Sequence, residues 1–329
     1  MDDPLILVRA VHFAATLTTA GVALFDAFIA EPVLRTPARA ELRATVVRRL
    51  RWIAWIGLVL TLLSGAAWLV LVAQSISDQL LETVLSDASV LHAVLLDTDF
   101  GRDWLLRLLL TALLAGLFAA DLREKQGGGG FLKVAIVLVA ASLAGTLAWA
   151  GHGIGGAGLP GSIHLAADFV HLIAAAAWVG GLLPLAFLLA AADRTSSVVV
   201  ARAASLRFSA YGMVAVGALL LTGAINTWYL AGSTQALTAT DYGHLLLVKI
   251  ALFLVMVALA TVNRLWLTPA LATVNRLWLT PALAADAGAK PEHSALRQLR
   301  RNVVTEIVAG AAILAVVAVL GVTPPGLGE

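Results

Sequence analysis

Eight long apolar stretches constrain the fold of this chain more than any other feature of its sequence. They lie at about residues 5–30, 50–73, 103–121, 131–150, 163–191, 206–230, 243–268 and 302–322. An apolar run of about 18 or more residues is typical of a transmembrane helix, because such a helix is long enough to cross the hydrocarbon core of a bilayer. The sequence therefore predicts an all-α, polytopic membrane bundle of eight transmembrane helices.

The composition agrees with this prediction and excludes several functional classes. Hydrophobic residues make up 60% of the chain and charged residues only 13%, whereas a soluble domain is about 25% charged. We therefore expect a lipid bilayer as the surroundings, no nucleic-acid partner and no soluble enzyme. The chain has no cysteine, so a metal site would have to use histidine, carboxylate, tyrosine or backbone ligands.

Lysine and arginine orient the predicted bundle. All but four of the 22 basic residues lie on alternate connections between the spans, and the exceptions are Arg9, Arg102, Arg107 and Lys249. Because basic connections stay on the cytoplasmic side, we expect both termini to face outward. The first four residues lack the basic region of a signal peptide, so the first span is expected to be kept.

The two halves of the sequence match each other in spacing. The matched positions are His12 and His171, Gly21 and Gly180, Ser64 and Thr222, Gly65 and Gly223, and Arg107 and Lys249. This pattern predicts a tandem duplication of a four-helix unit, residues 1–150 and 151–329, within one membrane domain. Sites tend to form where such repeats meet. The alternative is chance agreement in a sequence dominated by a few apolar residue types.

A second, shorter repeat lies near the C-terminal end. The segment ATVNRLWLTPAL occurs at 260–271 and again, identically, at 272–283. Twelve helical residues turn about 120° beyond whole turns, so the two copies cannot share one helix face. We interpret the second copy as a recent duplication or an assembly artefact, and expect it at the membrane interface with Trp278 at the lipid headgroups.

Histidines collect on the outward side of the predicted bundle. The six outward histidines are His12, His92, His152, His164, His171 and His244. His164, Asp168 and His171 share one helical stripe, and the glycine-rich connection 151–162 brings His152 to the same end. Imidazole and carboxylate suit Cu, Zn, Ni or Fe, and an ionisable group inside a span usually faces a partner or a wet cavity. The pattern favours a metal or proton site over histidines that only pack.

Several motifs resemble the copper resistance D (CopD) family of inner-membrane proteins. They are GHG at 151–153, HLAADFVHLIAAAAWVGGLLPLA at 164–186, RFSAYGMVAVGALLLTG at 207–223, YGHLLLVKIAL at 242–252, NRLWLTPAL at 263–271 and EIVAGAAILAVVAVLGVTPP at 306–325. The resemblance spans the whole chain and is strongest after residue 150. The second copy of the short repeat departs from the family pattern.

The resemblance implies eight spans and a role in copper movement across the bacterial cytoplasmic membrane, without enzymatic activity. It also implies a periplasmic copper-binding partner of the CopC type. The family motifs carry ligand roles onto His152, His164 and His171, while Asp168 joins them from the stripe, His12 from the repeat and His244 from its depth. The expected ligand is a copper ion, Cu(I) or Cu(II).

Two other functions stay open from the sequence. The motif VHLIAAAAWVGGL also resembles membrane haem enzymes of late haem synthesis. In a b-type haem redox protein, His12 and His171 would be axial ligands that meet across the repeat axis. The third possibility is a structural or signalling membrane protein that binds no metal.

Overall fold

The computed structural model describes residues 2–123, 130–150, 158–231, 234–271 and 291–324. Within these ranges, eight helical stretches are long and apolar enough to cross a membrane, and no β-strand is present. In chain order they are α1 (Pro4–Leu34), α2 (Pro37–Ser77), α3 (Asp99–Arg123), α4 (Gly130–Ala150), α5 (Leu159–Arg194), α6 (Val198–Leu230), α7 (Asp241–Ala270) and α8 (Ser294–Leu320). The predicted all-α, eight-span architecture is confirmed.

The two ends of the bundle differ in the chain segments that they contain. At the end called the terminal face, α1 begins and α8 ends, and Arg9 donates to the carbonyl of Ala150 at the end of α4, 3.3 Å away. At the opposite end, the arginine-rich face, Arg51 pairs with Asp121 at 2.9 Å. This ion pair joins α2 to α3. A second ion pair at the same face, between Arg300 and Asp193, joins α8 to α5.

Short helices cover the connections at the terminal face. They span Leu81–Ser86, Ala88–Asp97 and Thr234–Ala239, and the first two lie in the connection between α2 and α3. The Asp87 carboxylate caps Ala88–Asp97 by accepting a hydrogen bond from the backbone N–H of Ser89 at 2.9 Å. This hydrogen bond lowers the pKa of Asp87, because it stabilises the charged carboxylate.

Helices α1 and α5 form the centre of the bundle. In the most apolar 18-residue stretch of each helix, 72% of α1 and 67% of α5 is buried inside the protein, compared with 17% of α3 and 11% of α7. The two central helices approach closely at Gly21 and Gly180. A Cβ atom at Gly21 would collide with the backbone of Gly180, and one at Gly180 with the carbonyl oxygen of Leu17. Small residues allow such close packing of helices in a bilayer.

The outer surface of the bundle is apolar. Leu109, Val214 and Trp228 expose 64%, 74% and 76% of their surfaces. In a soluble monomer, apolar patches on this scale mark an interaction surface. On helices of this length they indicate contact with lipid.

Helices α3 and α7 begin with the same local structure. Thr98 accepts a hydrogen bond from the backbone N–H of Gly101 at 3.0 Å, and Thr240 accepts one from Gly243, also at 3.0 Å. Both glycines pack against backbone of the preceding short helix, six and seven residues upstream, where a Cβ would collide. The spacing matched in the sequence therefore corresponds to matched contacts.

Two of the sequence expectations concern residues outside the described ranges. His152 lies in the gap between α4 and α5, and the second ATVNRLWLTPAL copy lies in the gap between α7 and α8. The first copy ends α7, where Asn263–Leu267 forms a π-helical turn before Thr268–Ala270.

Candidate metal-binding site

Helices α5 and α6 are joined by three polar side-chain pairs, which we call the α5–α6 ladder. The pairs are His171 Nδ1 with Thr222 Oγ1 at 2.9 Å, Asn226 Nδ2 with Asp168 Oδ1 at 2.9 Å, and the rings of His164 and Tyr229, stacked with centroids 5.2 Å apart. Because the helices are antiparallel, the stripe on α5 meets a stripe on α6 with the same spacing of three and four residues.

The hydroxyl of Thr222 determines which nitrogen of His171 carries the proton. This hydroxyl has one hydrogen and donates it to the carbonyl of Ala218 at 2.6 Å. It must therefore accept a hydrogen bond from Nδ1–H of His171. In a neutral imidazole the other nitrogen, Nε2, then keeps the lone pair that binds a metal ion.

Asp168 supplies the negative charge in the ladder. Its direct partner is the amide of Asn226, and Lys249 on α7 attracts it through space without forming an ion pair. His164 and His171 lie beside Asp168 on the stripe but do not hydrogen-bond to it. Because the amide of Asn226 is neutral, it does not neutralise the carboxylate, which can still attract a cation.

The first half holds His12 with the same geometry. Nδ1 of His12 lies 3.0 Å from Oγ of Ser64, and Ser64 donates to the carbonyl of Leu60 at 2.5 Å. The same tautomer follows, and Nε2 of His12 is buried without a hydrogen-bond partner among the described residues. Both matched histidines therefore direct an unprotonated Nε2 away from their hydroxyl partners.

The charge at one matched position beside the histidine differs in sign between the two halves. Arg9 occupies the position that matches Asp168, and its guanidinium lies 4.7 Å from the ring centroid of Trp68. Arg107 pairs with Asp103, donates to the carbonyl of Thr146 at 2.9 Å and lies 5.7 Å from the same indole ring. Two buried guanidinium groups thus surround the first-half site.

The remaining expected ligands are farther from the ladder. His244 is exposed, and its Nε2 lies 3.0 Å from the carbonyl oxygen of Thr238. Within the described ranges, no three His, Asp or Glu side chains converge closely enough to hold one ion. His164 and His171 are separated by seven residues, or about 10 Å along the helix axis. A metal ion at the ladder would therefore be coordinated by only one or two of these side chains at any position.

The sequence alone does not single out Asn226 or Tyr229. A signal was present, because Thr222, Asn226 and Tyr229 repeat the offsets of four and seven residues that define the stripe on α5. A polar stripe on one span is more informative when a second stripe can pair with it.

Two family models together match most of the chain. The N-terminal domain of copper resistance protein D-like proteins matches residues 1–162, and copper resistance protein D matches residues 202–320. Copper resistance protein D of Pseudomonas syringae pv. tomato is 30% identical, over 99% of this chain and 98% of that protein. This chain belongs to the copper resistance protein D family. The resemblance seen in the sequence is confirmed.

Two further relatives agree with a membrane location and a copper-related role for the family. Inner membrane protein YebZ of Escherichia coli K12 is 31% identical over 80% of this chain and 84% of that protein. Copper transport protein CutJ of Bacillus subtilis 168 is 29% identical over 53% of this chain and 32% of that protein. None of these relatives is named for an enzymatic reaction. No solved structure matches this copper resistance protein D family member.

Proposed function

We propose that this chain carries copper across the bacterial cytoplasmic membrane and that the α5–α6 ladder receives the ion. The observation that carries the proposal is the pairing of His171 with Thr222, which leaves Nε2 of the imidazole unprotonated one helical turn from Asp168. Imidazole and carboxylate groups bind copper. Polar groups of this kind are costly inside a span, and they usually lie on a substrate pathway.

The direction of capture follows from the basic residues. Connections at the arginine-rich face hold most of the lysine and arginine of the chain, which favours a cytoplasmic location for that face. The terminal face and both termini are then periplasmic. The ladder lies in the half of α5 nearer the terminal face, so copper enters from outside.

The proposed ligands differ in their roles. His152, His164, Asp168 and His171 belong to the second half and would pass the ion along α5, whereas exposed His244 would act near the entrance. We expect His12 to be a weaker copper ligand than His171, because Arg9 is a cation at the position where the second half has Asp168. Both copper oxidation states accept imidazole ligands.

A periplasmic copper-binding protein of the CopC type would deliver the ion. The family resemblance supports this partner, and the short helices Leu81–Ser86, Ala88–Asp97 and Thr234–Ala239 provide a surface at the terminal face. Delivery at this surface would place copper beside the start of α5.

Metal analysis of the purified full-length chain tests the role of the ladder. We expect the wild type to bind copper and His171→Ala to lose the copper that the ladder binds. His92→Ala is the matched control, since His92 is exposed on the same face. Unchanged copper in His171→Ala would remove this residue from the site. A Soret band in the wild type would instead support the haem function.

The orientation has an independent test, because the chain has no cysteine. Single cysteines at exposed Ser86 and Ala38 report the two faces. With an impermeant maleimide and intact cells, we expect labelling of Ser86→Cys and none of Ala38→Cys until the cells are opened. The reverse pattern would invert the proposed direction of capture.

A further inference from the structure

The second half contains a cavity nearer the arginine-rich face, beyond the ladder along α5. Its volume is about 310 Å³, and its lining includes Trp178, Ser209, Met213 and Glu306. Trp178 lies seven residues beyond His171, or about 10 Å deeper along the helix. The buried indole therefore stands between the ladder and this cavity, which we call the inner cavity.

Glu306 is a buried carboxyl group at the end of a hydrogen-bond chain. Only 2% of its surface is exposed, and Oε1 accepts a hydrogen bond from Asn263 Nδ2 at 2.6 Å. Asn263 Oδ1 accepts from Asn302 Nδ2 at 2.7 Å, and Asn302 Oδ1 accepts from Gln298 Nε2 at 2.9 Å. Each amide donates toward Glu306, and such aligned hydrogen bonds polarise one another. They stabilise negative charge on the carboxylate.

No cation neutralises this carboxyl group through an ion pair within the described part of the chain. Arg264 also lines the inner cavity, but it is exposed and donates to the hydroxyl of Ser209 at 2.9 Å. A buried carboxylate is costly unless a cation joins it or a proton neutralises it. A cation bound beside Glu306 would stabilise its charged form.

The first half has a much smaller cavity in the region that matches the inner cavity. Its cavity is only about 50 Å³ and is lined by Asp26, Arg51, Asp121 and Lys133. Arg51 pairs with Asp121 at 2.9 Å, and Lys133 pairs with Glu31 at 3.0 Å. The charged groups neutralise one another and fill the space.

The second half replaces these charges at the same spacing. Leu185 stands where the first half has Asp26, Ser209 where it has Arg51, and Asn263 where it has Asp121. These shifts equal those that relate His12 to His171, Ser64 to Thr222 and Arg107 to Lys249. In the second half these three positions carry no charge, the cavity is open, and within the described residues Glu306 has no ion-pair partner.

We propose that Glu306 is the anionic ligand of a second copper-binding site, in the inner cavity. This inference rests on the proposed copper transport, since the inner site would hold the ion after it leaves the ladder. The hydroxyl of Ser209 and the thioether of Met213 line the same cavity, and a thioether suits Cu(I). Exposed Arg264 at the edge would repel the ion toward release.

Equilibrium copper binding to the full-length protein in lipid nanodiscs tests the inner site. We expect Glu306→Gln to weaken one class of bound copper at least tenfold and to leave the other class unchanged. His171→Ala should affect the other class. Glu41→Gln, the same substitution at an exposed position of α2, is the control and should match the wild type.

A second variant keeps the test decisive if Glu306→Gln does not fold. Ser209→Arg introduces the first-half residue and leaves Glu306 in place, so it should remove the same class of copper by filling the cavity with a cation. Wild-type binding in a folded Glu306→Gln or Ser209→Arg protein overturns the inner site. Normal binding in His171→Ala, with loss in Glu306→Gln, overturns the ladder instead and keeps the inner site.

Discussion

The two halves of the molecule share contacts but differ in charge. His12 and His171 are each held by a hydroxyl group on the neighbouring helix, and each keeps Nε2 unprotonated. Arg9 accompanies the first histidine, whereas Asp168 accompanies the second. The similar histidine geometry of the two halves is therefore combined with a cation at one site and a carboxylate at the other, and the sign of a nearby charge affects whether a metal cation is attracted.

The same contrast recurs nearer the arginine-rich face. Ion pairs fill the first-half cavity, whereas the amide of Asn263 lies beside Glu306 in the lining of the second-half cavity. The tandem duplication stays a prediction from the sequence, and the matched contacts agree with it. We propose that the first half is a scaffold held by ion pairs, while the second half has the polar groups that we assign to copper.

The largest effect is expected where the halves meet. Gly180→Leu would place a side chain against the carbonyl oxygen of Leu17 and should prevent assembly, because overpacking against backbone cannot be relieved by a rotamer change. Size-exclusion chromatography in detergent should show aggregate in place of a monodisperse peak. Gly217→Leu on α6 is the control, since nothing lies within 4 Å of that position. A well-folded Gly180→Leu protein would contradict the close crossing of the halves.

The next largest effect is a loss of stability on removing the matched buried cations, Arg107 in the first half and Lys249 in the second. Arg107→Leu leaves Asp103 buried without its ion-pair partner, which typically costs about 3–5 kcal/mol. Lys249→Leu should cost less, because Asp168 keeps its hydrogen bond from Asn226. Unfolding in a denaturant series measures both. Equal losses of stability would mean that Lys249 is as essential to the second half as Arg107 is to the first.

A smaller effect concerns the hydroxyl groups that orient the histidines. Thr222→Val removes the partner of His171 and should weaken copper binding about tenfold, since loss of a group that orients a ligand typically costs this much or more. Ser64→Ala removes the partner of His12, the weaker proposed ligand, and should reduce copper affinity much less than Thr222→Val does. Copper titrations of both variants measure the two affinities for comparison with the wild type. A comparable loss in Ser64→Ala would assign copper binding to the first half as well.

The smallest effect is expected at the arginine-rich face. Arg300 pairs with Asp193 at 2.5 Å, but its side chain is 39% exposed. Partly exposed ion pairs contribute less than about 1 kcal/mol, so Arg300→Ala should lower the thermal unfolding temperature by only a few degrees. Arg51→Ala in the first half should behave alike. A loss comparable to that of Arg107→Leu would show that these surface pairs hold the halves together.

The sequence predicts the helices better than it predicts the site. Asp168 was selected because an ionisable group inside a span usually faces a partner or a wet cavity. The same argument applies to Glu306 within α8. Glu306 was missed because no histidine accompanies it in sequence. Its partner Asn263 lies on another helix, and a stripe on one helix does not reveal what another helix places against it.

By itself, the sequence determined the number of spans, the family and the spacing shared by the two halves, and it predicted candidate copper-binding side chains. These properties depend on hydropathy and spacing along one chain segment. Only the tertiary structure decided that Asn226 holds Asp168, that Arg9 lies over Trp68 and that Glu306 lines a cavity. Such contacts depend on the rotation and crossing of helices distant in sequence, and small residues such as Gly21 and Gly180 set them by allowing close approach.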